Sequence, residues 1–357
     1  MLDNLFKYQQ KQKESTHVKW DVFNKKYLDK TILITGGAGT IGAEIVKSLS
    51  LSQVKRVIVF DFSEFSIFKL KNELNQDELI PEIIYKIGDI KDSNRIRELL
   101  IEYSPDVIIH TAAYKHLDLM EENAIEAYKN NFLGTKNVFL EALKNNIKEF
   151  IFVSTDKAVE PLSIMGLTKK MAEIYLRYSK NDSIQFKIIR FGNVIGSLGS
   201  IIPLVKKLIK HDKTITVRDK NTQRFFIYPE TVAKTLLNTL TLNSKNTTYL
   251  IKMGDPIFIK DIVKAIISEE GKKNQFVEEN LLKGEKINES LIENYESKNL
   301  VDGYNCYEVI DMSDIKDQPY LEIFNCFTSI ESKDYLTQKD YLSKIAKSIK
   351  YTTFAKN

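Results

Sequence analysis

Ser154-Thr155-Asp156-Lys157 sets hydroxyls, a carboxylate and an amine in consecutive positions at the end of an apolar run, EFIFVS at 149–154. One such group can take a proton while another gives one, which is what acid–base chemistry requires. Met165-Gly166-Leu167-Thr168-Lys169 brings a second amine on a stretch with helical spacing. An exposed turn also carries Thr, Asp and Lys; it is the place at the end of a strand bordering a cleft that favours chemistry.

A second constellation is Thr35-Gly36-Gly37-Ala38-Gly39-Thr40-Ile41-Gly42, which follows the apolar run TILIT and opens a helical stretch. Gly36 and Gly39 let backbone approach a pyrophosphate, Thr40 and Ile41 begin the helix whose N-terminus receives it, and Gly42 permits close helix–sheet packing. Asp61 ends the second strand roughly 20 residues on, where a carboxylate binds ribose hydroxyls; it would repel a 2′-phosphate, so NAD is expected rather than NADP. As a helix cap Asp61 would be equally conventional. Asp89 and Ile90 follow the third strand, where the carboxylate can accept from an adenine amino group or simply serve the turn. In His110-Thr111-Ala112-Ala113-Tyr114-Lys115-His116, Ala112, Ala113 and Tyr114 border the cofactor's path, while Lys115 and His116 enter the cleft; His116 reads equally as a structural histidine.

The elements that must position these groups are short β-branched runs: 31–35, 56–60, 82–88, 106–110, 149–154 and 186–191. Helical spacing fills 40–50, 64–75, 92–103, 122–145 and 164–180 between them. Continuous apolar strands alternating with helices predict an α/β fold, a doubly wound parallel sheet of Rossmann type with ligands beyond the strands' carboxyl ends. After about 195 the alternation loosens into strand candidates at 214–218 and 249–253 and helices at 229–241 and 258–270, expected to form a smaller α/β substrate-binding lobe. The division is residues 1–30 an appendage, 31–195 the NAD-binding domain with later segments returning to it, 196–330 the lobe and 331–357 a C-terminal helical tail. The appendage reads as a docked or frayed arm, with a short amphipathic helix for a partner as the alternative.

The chain has 357 residues, 43% hydrophobic and 28% charged, which excludes a disordered or membrane-embedded protein. A net charge of +4 spread along the sequence gives no case for nucleic acid. Cys306 and Cys326 form no CxxC, and the four histidines no ligand pattern, so neither a metal site nor a disulfide framework is expected. No secretory signal and no run of ~20 apolar residues is present, and a cytoplasmic setting is the expectation.

TGGAGTIG, AAYKHLDLMEEN with NNFLGT, STDKAVEP, MGLTK, RFGNVIGSLGSIIPL, TQRFF and GEK together resemble the nucleotide-sugar 4,6-dehydratases of the extended short-chain dehydrogenase/reductase superfamily. The resemblance runs from about residue 30 to 295 and is closest to UDP-N-acetylglucosamine 4,6-dehydratases of bacterial polysaccharide biosynthesis. It implies oxidation of the sugar at carbon 4 by NAD, loss of water across carbons 5 and 6, and return of the hydride to carbon 6. Lys157 is then the carbon-5 base, Asp156 the acid for the departing hydroxyl, and Thr155 or Asp156 the group that deprotonates the 4-hydroxyl. The superfamily's Tyr-x-x-x-Lys places its tyrosine base at Met165, and a thioether cannot take a proton. Lys169, the lysine of that motif, holds the cofactor ribose, and active members of this branch carry methionine in the tyrosine position.

Substrate contacts implied by the resemblance are Asn131 and Asn193 through their amides, Arg224 to a diphosphate, Glu285 to ribose or base, and Ser200 beside the nucleotide. Asn131 and Ser200 also read as cap or turn residues. AAYKHLDLMEEN and RFGNVIGSLGS look like the branch that retains carbon 5, and relatives associate through helices, so a homo-oligomer is expected. An epimerase and a non-catalytic NAD-binding scaffold are the competing readings; Asp156-Lys157 argues against both.

Overall fold

β1 (Thr31–Thr35) is buried at every residue, as a strand covered on both faces must be. Leu33 belongs to one apolar core with Leu99, Phe139 and Leu176, whereas Ile32 and Ile34 belong to another with Ile45, Val232 and Leu236. The period-two alternation of a strand thus divides β1 between two helical layers. A computed structural model describes residues 1–74, 80–179, 183–271, 276–282 and 284–311; the expected tail at 331–357 and the end of the lobe at 312–330 lie outside the described residues.

Ahead of β1, the expected appendage is a docked strap of three helices, α1 (Leu2–Leu5), α2 (Lys7–Ser15) and α3 (Trp20–Tyr27). Phe6 is 2% exposed and meets Phe226 edge-to-face at 5.4 Å. Gln9 and Gln12 donate to the carbonyls of Met253 and Lys252. Phe23 and Tyr27 enter the core of the sheet. Apolar spacing in the arm was weak because it docks through a few aromatics and amide-to-carbonyl bonds instead of a continuous stripe.

The chain then alternates α4 (Thr40–Leu49), β2 (Arg56–Asp61), α5 (Glu64–Glu73), β3 (Glu82–Ile87), α6 (Ser93–Tyr103) and β4 (Val107–His110). Next come α7 (Leu117–Glu122), α8 (Ala124–Ala127), a π-helix at Tyr128–Gly134 and α9 (Thr135–Lys144), where the sequence predicted one helix. β5 (Glu149–Val153), a 3-10 turn at Asp156–Ala158, α10 (Ile164–Tyr178) and β6 (Gln185–Arg190) complete the first half. Strands β1 to β6 are parallel in the order 3-2-1-4-5-6, so the order reverses between β1 and β4. Ligands bind at that reversal.

Beyond β6 lie β7 (Asn193–Val194), α11 (Ile201–Lys210), β8 (Ile215–Arg218), β9 (Gln223–Arg224), β10 (Phe226–Ile227), α12 (Pro229–Leu240) and β11 (Thr247–Ile251). β12 (Ile257–Phe258), α13 (Ile259–Glu269), β13 (Phe276–Glu279), β14 (Glu296–Val301) and β15 (Cys306–Asp311) follow. β11 joins β6 in parallel, and the antiparallel β15 and β14 extend the same sheet to nine strands among the described residues. Residues 247–251 and 296–311 therefore return to the main sheet, while α11, β8, α13 and β13 build the small lobe around Val205, Ile215 and Ile262.

Candidate active site

The loop from Gly36 to Gly42 is set by close backbone contacts. Gly36 has φ +66°, and a Cβ on it would lie 2.6 Å from Ala112 backbone atoms. A Cβ on Gly42 would lie 2.2 Å from the Gly36 carbonyl oxygen, so α4 packs on its own loop only without a side chain there. Gly39 precedes α4 with its backbone extended, and Thr40 and Ile41 form the first turn. The first N–H groups of a helix have no acceptor within it, and a pyrophosphate at this helix start would take them.

Asp61 is buried at the end of β2, and its two oxygens accept from the backbone N–H groups of Ala38 at 3.1 Å and Ser63 at 3.0 Å. It therefore ties β2 to the glycine loop, and each carboxylate oxygen retains a lone pair for a ribose hydroxyl. A cavity opens between Gly36, Asp61, Asp89, Ile90, Ala112 and Tyr114, with Ala113 and Asn130 also on its wall. Asp89 accepts from the Lys91 N–H at 2.8 Å, the turn contact its position suggested. The walls include glycines, alanines and the buried Asp61 carboxylate, a lining that lets backbone approach a pyrophosphate and offers an acceptor to ribose hydroxyls, so these residues fit NAD.

Asn131 is fully buried; it accepts from the Tyr114 N–H at 2.7 Å, and its amide donates to the Tyr114 carbonyl at 2.9 Å. Its amide is committed to this backbone clamp, which the π-helix permits by displacing the residue toward the β4 loop. His110 at the end of β4 lies between Phe150 and Phe152 and bonds Thr35 and Thr135. Burial, helped by the Lys169 cation, pushes this imidazole down to about 3, so it is neutral. Lys115 and His116 are exposed at the start of α7, with the His116 ring against Gly199.

At the end of β5 the chain tightens into the 3-10 turn, capped by Thr155, whose Oγ1 accepts from the Lys157 N–H at 3.3 Å. Thr155 Oγ1 also donates to Asp156 Oδ1 at 2.9 Å, and Lys157 Nζ donates to the same oxygen at 3.0 Å. Asp156 is completely buried, and its Oδ2 has no hydrogen-bond partner among the described residues. Lys157 Nζ donates in addition to Asn193 Oδ1 at 2.8 Å, so Asn193 belongs to this cluster. A Cβ on Gly166 would lie 2.2 Å from the Lys157 carbonyl oxygen, and α10 thus starts directly against the turn.

Met165 is 4% exposed and packs in the core, offering no proton acceptor at the position of the superfamily tyrosine. Lys169, also buried, donates to the Val153 carbonyl at 2.6 Å and sits 3.9 Å from the Phe152 ring centre. Burial lowers its amine to about 7.

In the second lobe Arg224 is 7% exposed and spends donors on the carbonyls of Gln223, Lys286 and Ile287. Glu285 pairs with Arg218 at 3.1 Å and accepts from the Leu282 N–H. Ser200 stands before α11 with its Oγ buried and without a hydrogen-bond partner among the described residues. Lys157, which bonds Asp156 and Asn193, and Arg224 each lie 3.9 Å from one carboxylate, Glu289, which the sequence reading did not single out; its only signal was following GEK.

Also missed was the buried network behind α10. Arg190 grips Glu173 through Nε at 2.9 Å and Nη2 at 2.6 Å, and Glu296 through Nη1 at 2.6 Å. Ser154 donates to Glu173 at 2.6 Å, and Lys170 pairs with Glu293. Burial pushes the Glu173 and Glu296 carboxyls up, but contact with Arg190 overrides it and holds both at about 2. The signal was present in Arg190 ending a strand too apolar to carry an unpaired charge.

A family model described as "Polysaccharide biosynthesis protein" matches residues 32–311. The capsular polysaccharide biosynthesis protein CapD of Staphylococcus aureus is 35% identical over 299 residues, 81% of this chain and 49% of its own length. An uncharacterized membrane protein, MJ1061, of Methanocaldococcus jannaschii is 36% identical over 91% of this chain and 97% of its own. A UDP-N-acetylglucosamine 4,6-dehydratase (inverting) of Campylobacter jejuni is 35% identical over 61% of this chain and 64% of its own. This chain thus spans about half of CapD's length. Among solved structures, Pen from Bacillus thuringiensis superposes with TM-score 0.72 at 31% identity, covering 82% of this chain and 89% of its own. DesIV of Streptomyces venezuelae, a dTDP-glucose 4,6-dehydratase solved with NAD, shares the fold with TM-score 0.63 at 21% identity, over 73% and 88% of the two chains. Among the described residues no helix is long and apolar enough to cross a membrane. Other relatives are named as UDP-glucose 4-epimerases, one from Rickettsia bellii being 31% identical over 79% of this chain and 83% of its own. The match over residues 32–311, from the glycine loop through the turn at Asp156–Ala158 to the returning strands, makes this chain a member of the polysaccharide biosynthesis protein family, with the fold that DesIV shares.

Proposed function

We propose that this protein carries out NAD-dependent 4,6-dehydration of a nucleotide-activated N-acetylhexosamine, UDP-N-acetylglucosamine in the first instance, to the 4-keto-6-deoxy sugar. The observation that carries this reading is the buried Asp156, whose Oδ1 is occupied by Thr155 and Lys157 while Oδ2 has no hydrogen-bond partner among the described residues.

NAD held by the glycine loop, Asp61 and Lys169 would supply a hydride acceptor that is restored within each turnover. The residues do the rest. Asp156 Oδ2 is free to meet the departing 6-hydroxyl and to serve as its proton donor. Lys157, beside it, serves carbon 5. Met165 removes the usual phenol base, and Thr155, hydrogen-bonded to Asp156, is the hydroxyl best placed to relay the proton of the 4-hydroxyl. Arg224 supports the loop of Lys286 and Ile287 as much as it could a diphosphate.

At carbon 5 the Campylobacter relative is named inverting, whereas AAYKHLDLMEEN and RFGNVIGSLGS support retention. Incubation with UDP-N-acetylglucosamine in deuterated water tests both. Loss of one water with deuterium at carbon 5 is expected, and ring couplings report its configuration. An unchanged mass with a carbon-4 epimer would replace the dehydratase reading with an epimerase.

A further inference from the structure

Glu289 lies beyond the GEK segment in irregular backbone, with a side chain 3% exposed. Three cations surround its carboxylate: Lys157 Nζ at 3.9 Å and Arg224 Nε at 3.9 Å from Oε1, and Lys286 Nζ at 3.6 Å from Oε2. These separations exceed hydrogen-bond range, and Oε2 has no hydrogen-bond partner among the described residues. Each cation is anchored elsewhere: Lys157 to Asp156 and Asn193, Arg224 to three carbonyls, Lys286 to the Val159 carbonyl at 2.8 Å.

A buried carboxylate oxygen without a hydrogen-bond partner calls for a cause. Here the anchored cations balance the charge of Glu289 from just beyond hydrogen-bond range. The ion-pair contacts of Lys157 are Asp156 on its own turn and Glu289 from the second lobe; Arg224 and Lys286 lie beyond Glu289.

We propose that Glu289 is a positioning residue for Lys157, its fixed negative charge holding the Lys157 ammonium in the turn. The proposal rests on Lys157 being the proton-transfer amine of the dehydratase reading. It concerns charge, so the isosteric amide removes it and the shorter acid keeps it.

Competitive acetylation of the full chain at neutral pH, read by mass spectrometry on the peptide holding Lys157, gives the reactivity of that amine without any sugar nucleotide. Glu289→Gln should raise Lys157 labelling several-fold, because the amine loses a neighbouring negative charge that holds it. Glu289→Asp should stay near wild type. Unchanged labelling in folded Glu289→Gln, or an equal rise in Glu289→Asp, would overturn the proposal. Should Glu289→Gln fail to fold, Lys286→Met serves: removing a cation from Glu289 should lower Lys157 labelling, and no change overturns the proposal. Absence of sugar turnover by the wild-type protein would remove the dehydratase reading while leaving the labelling result to judge Glu289.

Discussion

Lys157 Nζ lies 3.0 Å from Oδ1 of Asp156, the residue directly before it in the chain. In an extended strand successive side chains point to opposite faces, so such a pair cannot meet there. The 3-10 turn that begins at Asp156 curls the backbone and brings carboxylate and amine together at the carboxyl end of β5.

Lys157→Ala should reduce dehydration by about 10²–10⁴-fold, the usual contribution of a positioned acid or base. NAD content, read from the absorbance released on denaturation, should match wild type because Lys157 does not line the cofactor cavity. Equal turnover would remove Lys157 from the mechanism.

Asp156→Asn keeps volume and removes the acid. Turnover should drop by a similar ~10²–10⁴-fold. Oxidation at carbon 4 precedes the need for the acid, so wash-in of deuterium at carbon 5 without loss of water is expected in single-turnover analysis.

Gly42→Ala would place a methyl 2.2 Å from the Gly36 carbonyl oxygen, a backbone atom that cannot swing aside. Overpacking of this kind costs about 1–3 kcal/mol. Thermal melting should shift downward, and NAD retention should fall with it as the loop moves; a variant with full NAD and an unshifted melt would contradict this account of the loop.

Acid should unfold the protein through His110, Glu173 and Glu296. All three have folded-state values below their unfolded ones: His110 at about 3, the two glutamates at about 2. The unfolded chain therefore binds more protons as pH drops, and stability is lost from about 6.5 downward through His110 and from about 4.5 downward through the glutamates. Arg190→Met takes from two buried carboxylates their closest counter-charge, leaving Arg177 at 4.0 Å from Glu173 and 3.4 Å from Glu296, should cost about 3–5 kcal/mol, and should flatten the lower part of this profile as both glutamates become easier to protonate. Urea melts between neutral pH and 3 check the sign.

Phe6→Ala empties a buried site that joins the N-terminal strap to Phe226 and the small lobe. A cost of about 3–5 kcal/mol is expected for a buried phenylalanine, less whatever local fraying relieves. Limited proteolysis should then cut before Trp20 faster than in wild type, whereas an unchanged cleavage pattern would mean that Gln9 and Gln12 hold the strap alone.

The sequence by itself determined the alternation, the glycine loop, Asp61 and the placement of Asp156 and Lys157 at the end of a strand. These depend on short-range rules: β-branched runs, helical spacing, glycine where backbone approaches backbone. Tertiary structure decided what depends on partners far along the chain. Asn131 and Arg224 read as ligand contacts, yet Asn131 clamps Tyr114 and Arg224 holds the carbonyls of Lys286 and Ile287. Glu289 reaches the Lys157 turn from 132 residues later, and Glu296 meets Arg190 from 106 residues later. No local pattern marks such residues, because the free energy that keeps a charge buried comes from a counter-charge that only the fold brings alongside.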